Sequence, residues 1–267
     1  MPVSIHSSSV VDPAACLGED ISIGPFCVVG RDVELGDRVR LMSHVVLDGR
    51  TRLGADTIVY PFASLGQPPQ DLKYRGENSE LVIGCRNQIR EHVTMNLGTE
   101  GGGMITRVGD DCLIMTAAHV AHDCVLGNHV ILANNVTLGG HVEIDDHAII
   151  GGMSAVHQFV RIGAHAMIGG MSGVENDVIP YGLVMGERAR LAGLNLVGLE
   201  RRGFSKNDVR TLRAAYKALF QGEGTLAERL DHVSDEFSAS RVVADVLSFI
   251  RSRNNRSLCM PRQENAG

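Results

Sequence analysis

The sequence contains no tryptophan, and aromatic residues make up only 4% of its 267 positions. Most globular cores rely on aromatic side chains for bulk, so this core must be built from many similar aliphatic layers. No apolar run approaches the roughly 18 residues that a membrane-spanning helix needs. The start of the sequence also lacks the charged and apolar segments of a secretion signal. These absences favour a cytoplasmic protein without stable membrane insertion.

Charge and cysteine content narrow the range of partners. The chain carries 25 lysine and arginine residues against 31 aspartate and glutamate residues, which gives a formal net charge of −6. A mildly acidic chain is not expected to bind nucleic acid over a broad surface. The six cysteines form no Cys-x-x-Cys pair, so we interpret them as reduced thiols that fill small apolar spaces.

A period of six residues runs through most of the chain. Every sixth residue from Ile5 to Leu65 is aliphatic, and a second series is unbroken from Val108 to Val174. An amphipathic helix would repeat near 3.6 residues, whereas six residues are three alternations of a β-strand. Hexapeptide repeats of this kind build a parallel β-helix, in which three units make one triangular coil.

The repeat also predicts the contents of the coil. We expect the aliphatic column to point inward and a column of small or β-branched residues to fill the corners. Glycines such as Gly24 and Gly36, which often follow the aliphatic residue, are expected to relax the backbone at the corners. The period alone does not determine the handedness of the coil, and the general rule for crossovers favours the right-handed form.

The fold class predicted from these patterns is mainly β, with an α-helical C-terminal domain. The parallel β-helix covers 1–187, with insertions near 67–80 and 98–105. Over 188–267 the pattern changes to helical spacing, with a capping-type start at Ser205 and further helices around 226–237 and 243–250. Such helices would cover the last coil, since the open end of a β-helix exposes unpaired strand edges.

Stacking arithmetic brings four histidines together. Residues three units apart stack directly, so His122, His141 and His157 fall in adjacent columns on successive coils. His119 lies close by on the first of these coils. Each axial step is about 5 Å, which predicts one cluster of imidazole side chains.

The residues beside this cluster suggest a reaction class. Gly139 and Gly140 leave backbone N–H groups open to a substrate, and a histidine with free N–H donors suits base-catalysed acyl transfer. Asp123 follows His122 directly, and a carboxylate partner would fix the tautomer of the imidazole and raise its basicity. The spacing does not show that the two side chains meet.

Other interpretations remain open at this stage. A column of His129, His147 and His165 at another corner is interpreted as solvent-facing, and the same reading is possible for each histidine of the cluster. His119 and His122 could instead be two of three zinc ligands, although a spacing of three along a strand places side chains on opposite faces.

Two charged segments lie outside the repeat. Asp71 and Lys73, in the insertion QPPQDLKYRGE, could reach a polar ligand or simply face solvent. Arg201 and Arg202 form either a surface patch or a clamp for a diphosphate. Neither signal is specific by itself.

Five segments together resemble the acyl-carrier-protein-dependent UDP-N-acetylglucosamine O-acyltransferases, the family that begins lipid A synthesis. They are GQPPQDLKYRGE, IREHVTMNLGT, AHVAHDCVLGN, LANNVTLGGHVEIDDHAIIGGMSAVHQFVRIGAH and LNLVGLERRGFS. The resemblance extends over nearly the whole chain. It implies a left-handed coil and a homotrimer with sites between subunits. It also implies transfer of an (R)-3-hydroxyacyl chain from acyl carrier protein to the 3-position of UDP-N-acetylglucosamine. The acyl carrier protein thioester is the co-substrate, and no metal or cofactor is expected.

The resemblance also implies roles for individual residues. His122 is the general base, Asp123 orients it, and the Gly140 N–H stabilises the oxyanion. Gly170 matches the position that limits acyl-chain length, and glycine there implies a long chain. Implied substrate contacts are Asp71, Lys73, His119, His141, His157 and Gln158 at the sugar and acyl chain, and Asn195, Arg201 and Arg202 at the nucleotide. Val197 departs from the acidic residue that is common near the nucleotide.

Three alternatives to this function are carried forward. A related N-acyltransferase would act on the 3-amino analogue of the UDP-sugar and form an amide. A zinc lyase would use the same scaffold and contain stoichiometric metal. A purely structural β-solenoid would not bind a UDP-sugar.

Overall fold

The computed structural model describes residues 3–252 and 256–262. Residues 1–2 of the predicted β-helix, and 253–255 and 263–267 of the predicted helical domain, lie outside the described residues. In the described part of the chain, no helix is long and apolar enough to cross a membrane.

Each coil contributes one short strand to each of three parallel sheets, which we name A, B and C in the order in which the chain visits them. Paired residues on successive coils lie eighteen positions apart, as in Ile131 with Ile149 and Thr137 with Ala155. The turns between sheets form the A–B, B–C and C–A edges of a triangular prism. The prediction of a mainly β, left-handed parallel β-helix followed by helices is confirmed.

The strand bounds follow the repeat closely. Sheet A contains Ser4–Ile5, Ser22–Ile23, Arg40–Leu41, Ile58–Val59, Gln88–Ile89, Leu113–Ile114, Ile131–Leu132, Ile149–Ile150, Met167–Ile168, Gly182–Met185 and the antiparallel Arg190–Leu194. Sheet B contains Val10–Val11, Val28–Val29, Val46–Leu47, Ser64–Gln67, Thr94–Asn96, His119–Val120, Thr137–Leu138, Ala155–Val156 and Gly173–Val174. Sheet C contains Cys16–Leu17, Glu34–Leu35, Arg50–Leu53, Glu80–Ile83, Ile105–Val108, Val125–Leu126, Glu143–Ile144 and Arg161–Ile162.

The interior of the prism is filled by the two columns of the repeat. Aliphatic residues such as Leu47 and Ile114 are fully buried, and so are companions such as Val45 and Ala118. Burial of each large aliphatic side chain contributes roughly 1.5–3 kcal/mol. The narrow, layered interior therefore explains why the sequence uses so few aromatic residues.

The role predicted for the repeat glycines is wrong for Gly24 and Gly36, neither of which has a positive φ. The left-handed corner positions carry other residues, such as Asp20 with φ 57° and His44 with φ 59°. Gly24 and Gly36 lie beside these corners, and a Cβ on Gly36 would lie only 2.7 Å from the backbone nitrogen of Ala55. Glycine is therefore needed for the close approach of successive coils rather than for backbone freedom.

Both predicted insertions leave the prism at the B–C edge. The first connects Ser64–Gln67 of sheet B with Glu80–Ile83 of sheet C, and the second connects Thr94–Asn96 with Ile105–Val108. The second insertion contains the 3₁₀ turn Glu100–Gly102. Loops that carry function are commonly placed by a rigid scaffold, and here both extend from the edge that also holds His122.

The C-terminal segment contains one helix more than the sequence predicted. The helices are α1 (Leu196–Arg201), α2 (Lys206–Gln221), α3 (Leu226–Glu236) and α4 (Arg241–Arg251). The short α1 has too few residues to show a helical period. As predicted, the Ser205 side chain begins α2, since it accepts from the Asp208 N–H at 3.0 Å.

A buried ion pair joins the helices to Arg161–Ile162, the last strand of sheet C. Arg161 and Asp177 approach to 2.7 Å, and their side chains are 8% and 1% exposed. Arg161 also donates to the Ser252 carbonyl at 2.9 Å. The pair satisfies both buried charges and fixes α4 against the prism.

Candidate active site

The B–C edge carries the turn that contains the predicted base. Strand His119–Val120 leads into this turn and strand Val125–Leu126 follows it. Asp123 takes the left-handed conformation with φ 59°, in which aspartate is enriched. The turn therefore brings the neighbouring side chains of His122 and Asp123 together, whereas a strand would place them on opposite faces.

His122 and Asp123 form a close, buried pair. Nδ1 of His122 lies 2.7 Å from Oδ2 of Asp123, and the two side chains are 11% and 0% exposed. A carboxylate oxygen accepts hydrogen bonds, so Nδ1 carries the hydrogen and Nε2 keeps its lone pair. The geometry therefore supplies an oriented basic nitrogen.

Gly140 lies one coil further on, against the other side of the imidazole. A Cβ at this position would lie 2.6 Å from Nε2 of His122, so any side chain there would cover the basic nitrogen. The Gly140 N–H has no acceptor among the described residues. A basic nitrogen and an unused N–H donor are thus held close together, as acyl transfer requires.

Two other predicted histidines adjoin this pair. The rings of His141 and His122 are perpendicular with centroids 5.0 Å apart, and Nε2 of His141 lies 3.9 Å from Asp123 Oδ2. Nδ1 of His119 lies 2.8 Å from the Thr94 hydroxyl. Burial lowers the pKa of both His119 and His141, so both rings are neutral near pH 7 and can donate or accept hydrogen bonds.

The first insertion brings Asp71 and Lys73 to the same place. Asp71 accepts from the Lys73 N–H at 2.9 Å, and their side chains form an ion pair at 3.5 Å. The Lys73 N–H lowers the pKa of Asp71, and a positive charge on His122 acts in the same direction. The charge of Lys73 also lowers the pKa of His141, and the charge of Asp71 raises it. The loop therefore lies within electrostatic reach of the histidines.

His157 and Gln158 occupy the next turn of the B–C edge. A Cβ on Gly139 would lie 3.1 Å from Gln158 Cγ, so Gln158 adjoins the Gly140 turn. Nδ1 of His157 instead lies 2.6 Å from Nη2 of Arg256. The ring of His157 thus contacts Arg256 and the neighbouring Gln158 carbonyl, at 3.3 Å, and none of its described hydrogen bonds is with His122.

Sequence reasoning missed one neighbour of the buried pair. Thr99, in the second insertion, donates from its N–H to Asp123 Oδ1 at 2.8 Å and from its hydroxyl to Oδ2 at 2.6 Å. Stacking arithmetic places only residues that are in register, so it gave no position for an inserted residue. The available signal was the place of the insertion, between a B strand and a C strand one coil before His122.

Asn195, predicted at the nucleotide, has a structural contact at each end of its side chain. Its Oδ1 accepts from the Gly198 N–H at 3.1 Å, which begins α1, and its Nδ2 donates to the His165 carbonyl at 3.0 Å. The residue is 7% exposed. Any nucleotide contact of Asn195 would be made from this fixed position.

Arg201 and Arg202 follow at the end of α1. Arg201 is exposed, whereas Arg202 donates to the His147 carbonyl at 2.7 Å. Nη1 of Arg202 is buried and has no partner among the described residues. Nη2 of the Arg202 guanidinium is therefore held by a hydrogen bond, whereas Nη1 makes none with the described residues.

The predicted nucleotide residues share one depression of about 550 Å³. Its lining also includes residues of sheet A and of α1: Ile149, Met167, Leu183, Leu194, Leu196, Val197 and Gly198. In a triangular prism, sheet A is the face opposite the B–C edge. A single chain therefore holds the predicted nucleotide residues and His122 on opposite sides of the prism.

Comparison with known proteins gives the family. A family model described as UDP N-acetylglucosamine O-acyltransferase, domain 2, matches residues 177–259, and the hexapeptide model of bacterial transferases matches 105–140. An acyl-(acyl-carrier-protein)–UDP-N-acetylglucosamine O-acyltransferase of Azorhizobium caulinodans is 56% identical over 96% of this chain and 95% of its own length. The chain belongs to this O-acyltransferase family. The resemblance predicted from the five segments is confirmed.

Further relatives of the O-acyltransferase family agree. A protein of the same name from Caulobacter vibrioides is 51% identical over 98% of this chain and 100% of its own. The solved structure of Francisella novicida UDP-N-acetylglucosamine acyltransferase matches with a TM-score of 0.94 at 34% identity, covering 97% of this chain and 95% of that one. Fold and sequence therefore point to the same family.

Gly170, predicted from the resemblance to limit acyl-chain length, lies at the A–B edge. A Cβ on Gly170 would have Gly152 O as its nearest contact, at 3.3 Å. The flanking Met153 and Met171 are 66% and 71% exposed. Gly170 is thus a small position on an exposed apolar strip.

The histidine column at the C–A edge is stacked as predicted. Ring centroids are 4.6 Å apart between His129 and His147 and 4.8 Å apart between His147 and His165. The stack continues to Tyr181. The solvent-facing interpretation holds for His129, which is exposed, but His147 and His165 are half-buried. Burial lowers the pKa of both, and that of His165 to about 4.

The zinc interpretation named His119 and His122 as ligands, but the structure groups His122 with different residues. The described residues that could surround an ion are His122, Asp123 and His141, whose donor atoms lie within 4.8 Å of one another, rather than His119 with His122. Asp123 Oδ2 already accepts hydrogen bonds from His122 and Thr99. A metal at that oxygen would have to displace at least one of these donors.

Proposed function

We propose that this chain transfers an (R)-3-hydroxyacyl chain from acyl carrier protein to the 3-hydroxyl of UDP-N-acetylglucosamine, in the first step of lipid A biosynthesis. The observation that carries the proposal is the buried His122–Asp123 pair, whose Nε2 faces Gly140. The names of the relatives support the substrates and favour the ester over the amide. The proposed compartment is the cytoplasm.

In the proposed reaction, Nε2 of His122 takes the proton of the sugar 3-hydroxyl as the oxygen attacks the thioester carbonyl. A C–O bond forms, and the Gly140 N–H stabilises the negative charge on the carbonyl oxygen. The intermediate then collapses with cleavage of the C–S bond. His122 returns the proton to the leaving thiol, so the products are the sugar ester and free acyl carrier protein.

The proposed reaction uses neither metal nor cofactor. The carboxylate of Asp123 stabilises the imidazolium that forms in the first step. The thioester supplies the activated acyl group, so no covalent acyl-enzyme is required. Hydrogen bonds from His122 and Thr99 to Asp123 support an orienting role for this carboxylate over a metal-binding one.

The proposed active unit is a homotrimer. His122 lies at the B–C edge, whereas Arg201 and Arg202 line the depression on sheet A. One substrate could reach both sets only if neighbouring copies each contribute one of them. A hybrid trimer of His122→Ala chains and Arg201→Ala/Arg202→Ala chains would then regain activity that neither parent has. No recovery on mixing would contradict shared sites.

The proposed acyl chain is long. The space at Gly170 and the exposed Met153 and Met171 provide an apolar strip at the A–B edge. In a trimer this strip could face the B–C edge of the next copy and bind the acyl tail. Gly170→Met is then expected to shift the preference toward shorter chains, without loss of the base.

Mass spectrometry of the products tests the proposed function. The protein is offered acyl carrier protein loaded with 3-hydroxyacyl chains of several lengths, together with UDP-N-acetylglucosamine or its 3-amino analogue. The expected product is an ester of the hydroxy sugar with a long chain. Formation of amide alone, or no product from either sugar, would overturn the proposal.

A further inference from the structure

Thr99 is a buried residue to which neither the repeat nor the resemblance gave a role. It is 6% exposed and precedes the 3₁₀ turn Glu100–Gly102 in the second insertion. Its N–H donates to Asp123 Oδ1 at 2.8 Å and its hydroxyl donates to Oδ2 at 2.6 Å. One residue therefore binds both oxygens of the carboxylate that contacts His122.

These two bonds fix the orientation of the carboxylate. Oδ2 accepts from both the Thr99 hydroxyl and Nδ1 of His122, at 2.6 and 2.7 Å. The Asp123 side chain is 0% exposed, so bulk water does not compete for either oxygen. With Oδ1 held by the Thr99 N–H, the carboxylate cannot rotate without breaking a buried hydrogen bond.

The loop is itself built to hold Thr99 in place. The Thr99 carbonyl accepts from the N–H groups of Gly102 and Met104, at 3.1 and 2.9 Å. Gly102 lies directly over Asp123, and any Cβ at this position would overlap the carboxylate. Only a glycine at residue 102 therefore allows the loop to close on Asp123.

We propose that Thr99 is a positioning residue, which locks Asp123 so that His122 keeps Nδ1 protonated and Nε2 free for the substrate. The proposal rests on the proposed function for its kinetic consequence. The hydrogen-bond network itself is independent of which substrate is acylated. A hydroxyl donor at residue 99 and a glycine at residue 102 are its two requirements.

Variants at Thr99 separate this role from simple packing. Thr99→Val keeps the shape and removes the hydroxyl, whereas Thr99→Ser keeps the hydroxyl. Because misplacement of a catalytic group by about 1 Å can cost about 100-fold, Thr99→Val is expected to lower kcat roughly 10- to 100-fold with little change in KM. Thr99→Ser is expected to stay near the wild-type kcat.

The matched control is Thr57→Val. Thr57 lies at the C–A edge and is also fully buried, and its hydroxyl donates to the Gly84 carbonyl at 3.1 Å. Both valine variants lose a buried hydrogen bond and some thermal stability. Only Thr99→Val is expected to lose kcat.

A spectroscopic measurement tests the geometry without a substrate. In the ¹⁵N-histidine-labelled protein, the Nδ1–H resonance of His122 is assigned by its absence in His122→Ala. It is expected to shift or broaden in Thr99→Val and Gly102→Ala, and to persist in Thr99→Ser and Thr57→Val. An unchanged resonance in Thr99→Val would overturn the positioning role, as would an unchanged kcat. If the wild-type protein acylates neither sugar, the proposed function fails while the resonance still decides the role of Thr99.

Discussion

The B–C and C–A edges of the prism carry histidines in similar turns but with opposite surroundings. At the C–A edge, His129 and His147 lie parallel at 4.6 Å in a stack. At the B–C edge, His122 and His141 are perpendicular, and both face Asp123. Two loops extend from the B–C edge, whereas the C–A edge keeps the plain repeat.

The difference shows what makes a corner histidine useful. In the C–A column the histidines themselves take the left-handed position, with φ from 56° at His129 to 62° at His147. In the His122 turn of the B–C edge that position belongs to Asp123, so His122 lies one residue earlier and turns onto the carboxylate, whereas His141 takes the left-handed position one coil later with φ 61°. A one-residue shift within the turn, together with an inserted loop, converts a stacked ring into an oriented base.

The largest expected difference between the edges is in catalysis. His122→Ala removes the proposed general base and is expected to lower kcat by about 10²- to 10⁴-fold. His129→Ala, at the C–A edge, is expected to leave kcat unchanged because its ring only stacks. Steady-state kinetics with the same acyl donor and UDP-sugar measure both, and equal losses in the two variants would remove the distinction.

A smaller loss is expected from the carboxylate. Asp123→Asn keeps the shape but weakens the contact with Nδ1, and kcat is expected to fall about 10- to 100-fold, the range found for carboxylates that orient metal-binding histidines. The control is Asp56→Asn at the C–A edge, where Asp56 pairs with exposed Arg38 at 2.7 Å. That substitution is expected to leave kcat unchanged. An Asp123→Asn enzyme with full activity would contradict the orienting role.

The smallest expected effect is on stability and belongs to the C–A edge. Burial lowers the pKa of His165 from 6.5 to about 4, so the unfolded chain binds this proton more tightly than the folded chain. His165 therefore stabilises the fold in full above about pH 6.5, and this contribution is lost as the pH falls from 6.5 toward 4. His165→Phe, which keeps an aromatic ring in the stack, is expected to lose less Tm over that interval. An identical pH dependence of Tm in the wild-type protein and in His165→Phe would contradict this role of His165.

The sequence was sufficient for the scaffold because the repeat is strict. The six-residue period alone predicts that positions such as Leu47 and Ile114 point inward, and the same pattern recurs in every coil. The cluster of His122 with His141 also followed, since stacking converts sequence distance into position. The same regularity predicted the stacked column at the C–A edge.

Features that depend on tertiary contacts could not be predicted from the sequence. Thr99 could not be placed because an inserted loop has no register, and α1 (Leu196–Arg201) is too short to show a period. The role of Gly36 was mistaken because the requirement comes from the next coil, at Ala55, and not from its own backbone. In each case the deciding contact is tertiary.

Chemical rescue tests the central claim most directly, that an oriented imidazole at the B–C edge acts as the base. The rate of sugar acylation by His122→Ala is measured with and without added imidazole, beside the wild-type protein. We expect almost no product without imidazole and partial recovery of the rate with it, since the small base can enter the space left beside Gly140. A His122→Ala protein that forms product at the wild-type rate without imidazole would contradict the account.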